Sequence, residues 1–478
     1  MLRESCAGAL EIFMGKEHTA EDLARRAVER RAIEAVSWGM PAVNFDLMYQ
    51  AMVRDAKGGA GSNKIVFWSR LFDWKNQTLT PNPDTIYFIP LFDTKEVGPV
   101  VMEIPPADEG TIVGSVDDAW QTAIEDVGPA GVDEGNGGKY LILPPGHKDP
   151  VPDGYIAMRS PTYQSYALLR SNPKSTNDAD VARAVAYARR IRLYPLAQAT
   201  KSRSTQFVDA ADVVFDATIP YDLRFFEALD RFVQHEPWQP RDKAMIDVLK
   251  TIGIEKGKPF APDAKTKKIL ASAIREARAW MDHKYEEFYP PFVEDARWAL
   301  PASPEFAHEI QSGFAASDSY PIDDRGLAYS YAFFSAKHLG QGQYYLMTIK
   351  DQAGRRFDGG KTYRLTVPAN APVKQYWSAT AYDRGTHALI RNTRWSSRSS
   401  QTSGLQKNVD GSVTIYFGSR APERMASNWI PTKAGSNFEV LFRFYGPEKA
   451  LFDKTWRLPD IEATNGVNGL DPCPRPEP

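Results

Sequence analysis

The side chains best suited to chemistry in this chain stand at the ends of apolar runs. Asp84 follows the rigid turn "TPNP" and precedes "TIYFIPLF", Asp117 and Asp118 close "TIVGSVDD", and Asp383 closes "QYWSATAYD". Two carboxyl groups held about 5–9 Å apart can serve as general acid and base, as in glycosidases. Acids at turns also cap their own backbone, so residue type alone leaves a structural role open. Arginines supply a second element. Arg391 in "HALIRN" and Arg443 in "NFEVLFRFYG" carry a permanent planar charge that can bind a carboxylate or stabilise anionic oxygen. Tyr87, Tyr140 and Trp377 add ring surface for a sugar or an organic carboxylate. On this reading Asp84 is the acid or base, Arg391 and Arg443 stabilise charge, and the three aromatics contact the ligand. Strand alternation sets Arg443 opposite Phe442 and Phe444, on the side of Glu439, Leu441 and Tyr445. It is therefore expected to be partly buried and hydrogen-bonded.

Other chemistry has little support. The chain holds no Gly-Lys-Ser/Thr phosphate loop, G-x-G-x-x-G, H-E-x-x-H, G-x-S-x-G or paired CxxC. His283 and Glu287 stand one helical turn apart in "HKYEE", a spacing that can share a metal but more simply makes a solvated helix face. No metal and no cofactor are expected. With 58 basic against 60 acidic residues there is no electrostatic case for nucleic acid. No run approaches the roughly 18 apolar residues of a membrane span. Cys6 and Cys473 are the two cysteines, one near each end. Free thiols are favoured over a terminal clasp. The opening "MLRESCAGALEIFMG" interrupts its apolar residues with acids, which predicts a cytoplasmic protein. Export is the alternative if the natural chain has a signal peptide absent here.

These residues need elements to position them, and 478 residues predict more than one core. Residues 1–60 read as an N-terminal helical segment, capped at Thr19 and stopped by "GMP" at 39–41. Residues 61–175 read as a β-sandwich of short strands from "KIVFW" (64–68) to "YQSYALLR" (163–170), with Pro90 marking an edge or a bulge. Residues 176–318 carry helical stripes at 178–197, 222–233, 241–254 and 267–289. Residues 319–462 alternate again, through "YYLMTI" (344–349), "QYWSATAYD" (375–383), "HALIR" (387–391) and "NFEVLFRFYG" (437–446). Residues 463–478 form an extended tail. Both strand-rich regions include a strand ending in an "LFD" or "AYD" turn (91–93, 381–383), a faint internal symmetry.

"TPNPDTIYFIPLFD", "GSVDDAWQ", "GGKYLILPPG" and "YQSYALLRS" resemble the N-terminal signature of the DUF1254 proteins. "KQYWSATAYD", "ALIRNTRWS", "NVDGSVTIYFG", "NWIPTKAGSNFEVLFRFYGP" and "TWRLPDIE" resemble the DUF1214 domain that follows it. The resemblance runs from about Trp38 to Glu462. It implies a mainly β protein with an N-terminal immunoglobulin-like sandwich, a helical middle domain and a C-terminal jelly-roll-like sandwich. It implies no reaction and transfers no catalytic residue. The functional expectation is an enzyme, a hydrolase acting on a small organic or sugar-like substrate in an interdomain pocket. The alternative is a non-catalytic small-ligand-binding or structural protein. The long helical middle favours a homo-oligomer.

Overall fold

The structure, a computed structural model, describes residues 19–58, 63–201, 204–287, 290–334, 336–338 and 342–464. Cys6, Cys473 and the tail beyond residue 464 lie outside them. Helix α1 (Ala20–Gln50) starts where the sequence places it. Thr19 Oγ1 accepts a hydrogen bond from Asp22 N at 3.1 Å, with Glu21 and Asp22 in the first turn. The expected stop at residues 39–41 does not occur. Pro41 lies inside the helix, which continues into a π-helical turn over Ala51–Asp55. A proline there costs ~3 kcal/mol in an isolated helix, yet every residue from Ala35 to Asp46 is buried, so packing on all sides outweighs it. The Pro41 carbonyl is bound from outside by Gln121 Nε2 at 2.8 Å.

The N-terminal strands are β1 (Lys64–Phe67), β2 (Asn76–Gln77), β3 (Ile86–Asp93), β4 (Val100–Ile104), β5 (Ile112–Asp118), β6 (Ala123–Val127), β7 (Gly138–Leu143), β8 (Ile156–Arg159), β9 (Gln164–Ser171), β10 (Arg192–Pro195), β11 (Gln206–Asp209) and β12 (Phe215–Asp216). They form a six-stranded sheet in the order β11-β1-β3-β9-β5-β6 and a four-stranded sheet in the order β10-β4-β7-β8. Phe88, Ala167 and Leu169 of the first sheet and Met102, Tyr140 and Ile142 of the second share one apolar core. Pro90 is neither at an edge nor in a bulge. It lies in β3, between β1 and β9, where the β9 ladder lapses at Ile89 and Pro90 and resumes at Leu91 in unchanged register. The helical stripe read over 178–197 is also shorter than expected. The helix ends at Ala188, and Arg192–Pro195 pairs with β4 because Leu193 and Tyr194 fill opposite sides of that sheet.

The middle of the chain supplies helices α2 (Leu223–His235), α3 (Ala264–Glu286) and α4 (Ile322–Tyr331), which pack on α1. The C-terminal strands are β13 (Gln343–Thr348), β14 (Tyr363–Val367), β15 (Val373–Asp383), β16 (Ser397–Ser399), β17 (Val413–Gly418), β18 (Trp429–Pro431), β19 (Phe438–Pro447) and β20 (Glu462–Ala463). Two four-stranded sheets result, β13-β19-β15-β16 and β18-β17-β14-β20, again with a shared core. Residues 387–391 are not a strand: a single bridge joins Tyr382 to Leu389, and His387 takes a positive φ of 55° in the turn. The architecture is thus mixed, with β-sheets at both ends of the chain and helices between. One central core joins the helices to a face of each larger neighbouring sheet, through Ile89 and Leu168 on one side and Met347 and Leu441 on the other. No helix among the described residues is long and apolar enough to cross a membrane.

Candidate functional site

Alternation along four strands builds two facing walls. On β3 and β9, Phe88, Ala167 and Leu169 point into the N-terminal core, so Tyr87, Ile89, Leu168 and Arg170 point the other way. On β13 and β19, Leu346, Phe442 and Phe444 fill the C-terminal core and leave Tyr345, Met347, Leu441 and Arg443 on the opposite face. These eight side chains line one cavity of about 50 Å³, with Met48 of α1 and Phe333 and Phe334 beyond α4 at its margin. The walls repeat one another. Tyr87 pairs across the sheet with Arg170, and Tyr345 with Arg443. Each guanidinium lies over its tyrosine, 5.4 Å from the Tyr87 centroid and 5.3 Å from that of Tyr345.

The two arginines are 8% and 2% exposed, and neither forms an ion pair with an acid among the described residues. Arg443 is hydrogen-bonded throughout its terminal fork. Nη1 donates to Thr380 Oγ1 at 3.0 Å, and Nη2 donates to Tyr382 Oη at 2.6 Å and to the Thr80 and Pro81 carbonyls at 3.0 and 3.4 Å. Arg170 has no carbonyl or carboxylate partner among the described residues, and its support is the tyrosine beneath it. The Nε of each arginine is buried without a partner. Burial opposes charge on Arg443, but the phenols of Tyr382, Tyr445 and Tyr345 outweigh it and hold the group above its ordinary value. Burial likewise opposes charge on Arg170, and Tyr87, Tyr345 and Tyr445 outweigh it there. Both guanidiniums stay protonated.

The turn that links the walls is "TPNPD". Thr80 has a φ of +39°, a conformation that costs a residue with a side chain ~1–3 kcal/mol and must be fixed by its surroundings. Thr80 N donates to the His387 carbonyl at 2.7 Å and Thr80 Oγ1 to the Tyr331 carbonyl at 3.0 Å. Asn82 then reaches both sheets. Its backbone N donates to Tyr87 Oη at 2.9 Å, and its Nδ2 donates to Tyr376 Oη at 3.2 Å and Tyr445 Oη at 2.5 Å. Tyr382 Oη donates to the Pro81 carbonyl at 2.6 Å. A corner that local chemistry explains only as a strand start is the joint between the two sheets.

Of the residues singled out in the sequence, the structure brings Tyr87 and Arg443 together at the cavity. Asp84 sits behind the turn and does not line it. Its Oδ1 accepts from Ser397 Oγ at 2.9 Å, its Oδ2 is buried without a partner, and burial pushes the carboxyl up to about 6 against the pull of Ser397, Arg443 and Arg398. Arg391 is elsewhere, in a half-exposed ion pair with Asp216 at 2.6 Å. Tyr140 is on β7, inside the core between the two N-terminal sheets. Trp377 stacks on Phe442 at 5.5 Å in the C-terminal core, on the face of β15 opposite Tyr376. Asp118 and Asp383 cap their own turns, accepting from Trp120 N and Thr122 N, and from Gly385 N and Thr386 N. Asp117 is fully buried, and burial, with Asp126 and Asp118 nearby, holds its carboxyl well above the usual range against the pull of Arg170. His283 and Glu287 form an exposed pair at 3.4 Å, and no group of three potential metal ligands occurs among the described residues. His387 Nδ1 lies 2.8 Å from Glu439 Oε1, and Tyr285 Oη donates to Glu439 Oε2 at 2.7 Å, so this buried acid is fully engaged.

Arg170, Tyr345 and Asn82 escaped selection as site residues. A signal for the arginines was present: "YFI" (87–89) and "LLR" (168–170) recur as "YLM" (345–347) and "LFR" (441–443), giving each wall a tyrosine and an arginine two residues from an aliphatic. The lining contains no serine, cysteine, histidine or carboxylate. Its chemistry is two cationic forks in an apolar, tyrosine-edged space.

Comparison with known proteins gives two family matches along the chain. The family described as "Protein of unknown function (DUF1254)" matches residues 62–195, and "Protein of unknown function (DUF1214)" matches residues 342–449. The crystal structure of the VPA0106 protein from Vibrio parahaemolyticus superposes with a TM-score of 0.57 at 17% identity, covering 92% of this chain and 100% of that one. That likeness concerns the fold. An uncharacterized protein from Burkholderia cenocepacia superposes at 0.40 with 10% identity, over 92% of this chain and 94% of its own. No curated protein matches.

Proposed function

The chain belongs to the DUF1254/DUF1214 domain family, and we propose that it binds a small organic anion, without turnover, in the cavity between its two facing sheets. One observation carries the reading: two buried guanidiniums line one cavity and no acid pairs with either among the described residues. An unpaired buried ion costs several kcal/mol, so buried charges are normally matched by a partner. Phenols supply part of that match for both arginines, and carbonyls for Arg443 alone, which leaves Arg170 without a carbonyl or carboxylate partner among the described residues. An anion between the walls completes it.

The hydrolase reading asks for more. Asp84 would have to reach a substrate through the turn that shields it, and the lining has no histidine or carboxylate to activate its threonine and tyrosine hydroxyls. We also read the two sheet pairs as an immunoglobulin-like and a jelly-roll-like sandwich, an assignment that rests on their shared cores and strand orders. The test of function is thermal unfolding with a panel of small carboxylates and their uncharged amides. A ligand at 100 times its Kd stabilises by about 2.7 kcal/mol, so carboxylates are expected to raise the melting temperature and amides to leave it in place. Equal shifts from both series would defeat the reading.

A further inference from the structure

The two arginines differ in what they have left to offer, and that difference selects the ligand. Arg443 has committed its terminal nitrogens to Thr380, Tyr382 and the Thr80 and Pro81 carbonyls. Arg170 is more than nine-tenths buried, lines the same cavity, and has its fork free of carbonyl and carboxylate partners among the described residues. A planar fork with parallel N–H donors matches a carboxylate in two-point fashion. Most of the remaining lining is apolar, Ile89, Leu168, Met347 and Leu441 among it, with Thr78, Thr80 and Asn82 as the polar exceptions beside the tyrosines. A second anionic group would find no second open fork.

Size narrows the class further. The cavity measures about 50 Å³, whereas an apolar cavity that admits benzene is roughly 150 Å³. That is about a third of the space that admits six carbons, so a long acyl chain or a ring exceeds it and a carboxylate of about acetate's size remains.

We infer that the ligand is a monocarboxylate of about acetate's size, its carboxylate gripped by Arg170 and its methyl end packed against Ile89, Met347 and Leu441, with Arg443 acting as a positioning charge. This rests on the anion-binding reading above and adds head-group number and chain length to it.

Isothermal titration of the full chain tests the inference, using acetate, octanoate, succinate, inorganic phosphate and acetamide as probes. Acetate is expected to bind saturably, one per chain. Octanoate and succinate should bind at least about tenfold more weakly, as misfit in a small apolar site requires, and acetamide more weakly still because it lacks the charge. Arg170→Gln should abolish acetate binding. Ile89→Phe, which fills the cavity and keeps both arginines, should abolish it too, so the conclusion does not depend on one variant folding. Succinate or phosphate binding as tightly as acetate would overturn the single-headed ligand and leave anion binding standing. Octanoate as the tightest ligand would overturn the short chain alone. Failure of every anion to bind would sink the underlying reading, and acetate binding unchanged in both variants would place the site elsewhere.

Discussion

The N-terminal and C-terminal walls of the cavity are built alike and held differently. Each pairs a tyrosine with an arginine across two antiparallel strands, with an aliphatic two residues further along each strand. In the C-terminal wall the guanidinium is fastened to β15 and to the "TPNPD" turn. In the N-terminal wall it rests on Tyr87. Identical residue patterns thus do two jobs. A fork occupied by carbonyls and hydroxyls joins one sheet to the turn of the other, and a fork held by a tyrosine with no carbonyl or carboxylate on it is available to a ligand.

The contrast breaks most visibly at Arg443. Arg443→Ala removes four hydrogen bonds, two of them to the turn at the joint, and leaves the Thr80 carbonyl, a hydroxyl and a phenol without this donor, while the Pro81 carbonyl keeps Tyr382 Oη. It should cost about 3–5 kcal/mol in urea unfolding, in the range found for broken buried polar networks. Destabilisation under 1 kcal/mol would mean that this arginine does not join the sheets.

Asp84 comes next, because its charge belongs to the Arg443 wall alone. Its folded value of about 6 lies above the ordinary 3.8, so the folded state holds an extra proton between those values. Stability therefore falls as pH rises from about 4 to 6, by a quantity on the order of 3 kcal/mol for two units at 1.36 kcal/mol each. Asp84→Asn should flatten that part of the profile and raise stability at neutral pH relative to the parent. A parent whose denaturation midpoint does not change over this window would refute the account of Asp84.

Arg170→Met sharpens the comparison from the other side. Replacing an unpaired buried charge with an apolar side chain is often neutral or stabilising by ~1 kcal/mol or more. The ligand-free protein should therefore melt no lower than the parent, while carboxylate-induced stabilisation disappears. Loss of stability equal to that of Arg443→Ala would erase the distinction between the walls. The smallest effect belongs to Arg391→Ala, which deletes an exposed pair with Asp216. Such pairs contribute about 0–1 kcal/mol, and ligand response should be unchanged.

Much of this architecture was legible in local pattern. Alternation in "NFEVLFRFYG" correctly separates Arg443 from Phe442 and Phe444, and Thr19 starts the helix it was expected to cap. Pro41 and Pro90 misled because local propensity says nothing about a helix buried on all sides or a ladder that can lapse for two residues. The site was less legible. The partners of Asn82 lie at Tyr376 and Tyr445, 294 and 363 residues away in the chain, and no local rule predicts them. Trp377 and Tyr376 alternate on one strand, so Trp377 enters the C-terminal core while Tyr376 meets Asn82 at the turn. Tyr140 belongs to the outer of the two N-terminal sheets, a topological fact that strand periodicity does not contain.

The central claim, that an anion is held between the walls on Arg170, is tested most directly by crystal structures of protein grown with and without acetate. The account predicts one acetate inside the cavity, its methyl group beside Ile89 and Leu441 and its carboxylate across the Arg170 fork. Acetate confined to the protein surface, in crystals where an acidic side chain of the chain itself pairs with Arg170, would contradict it.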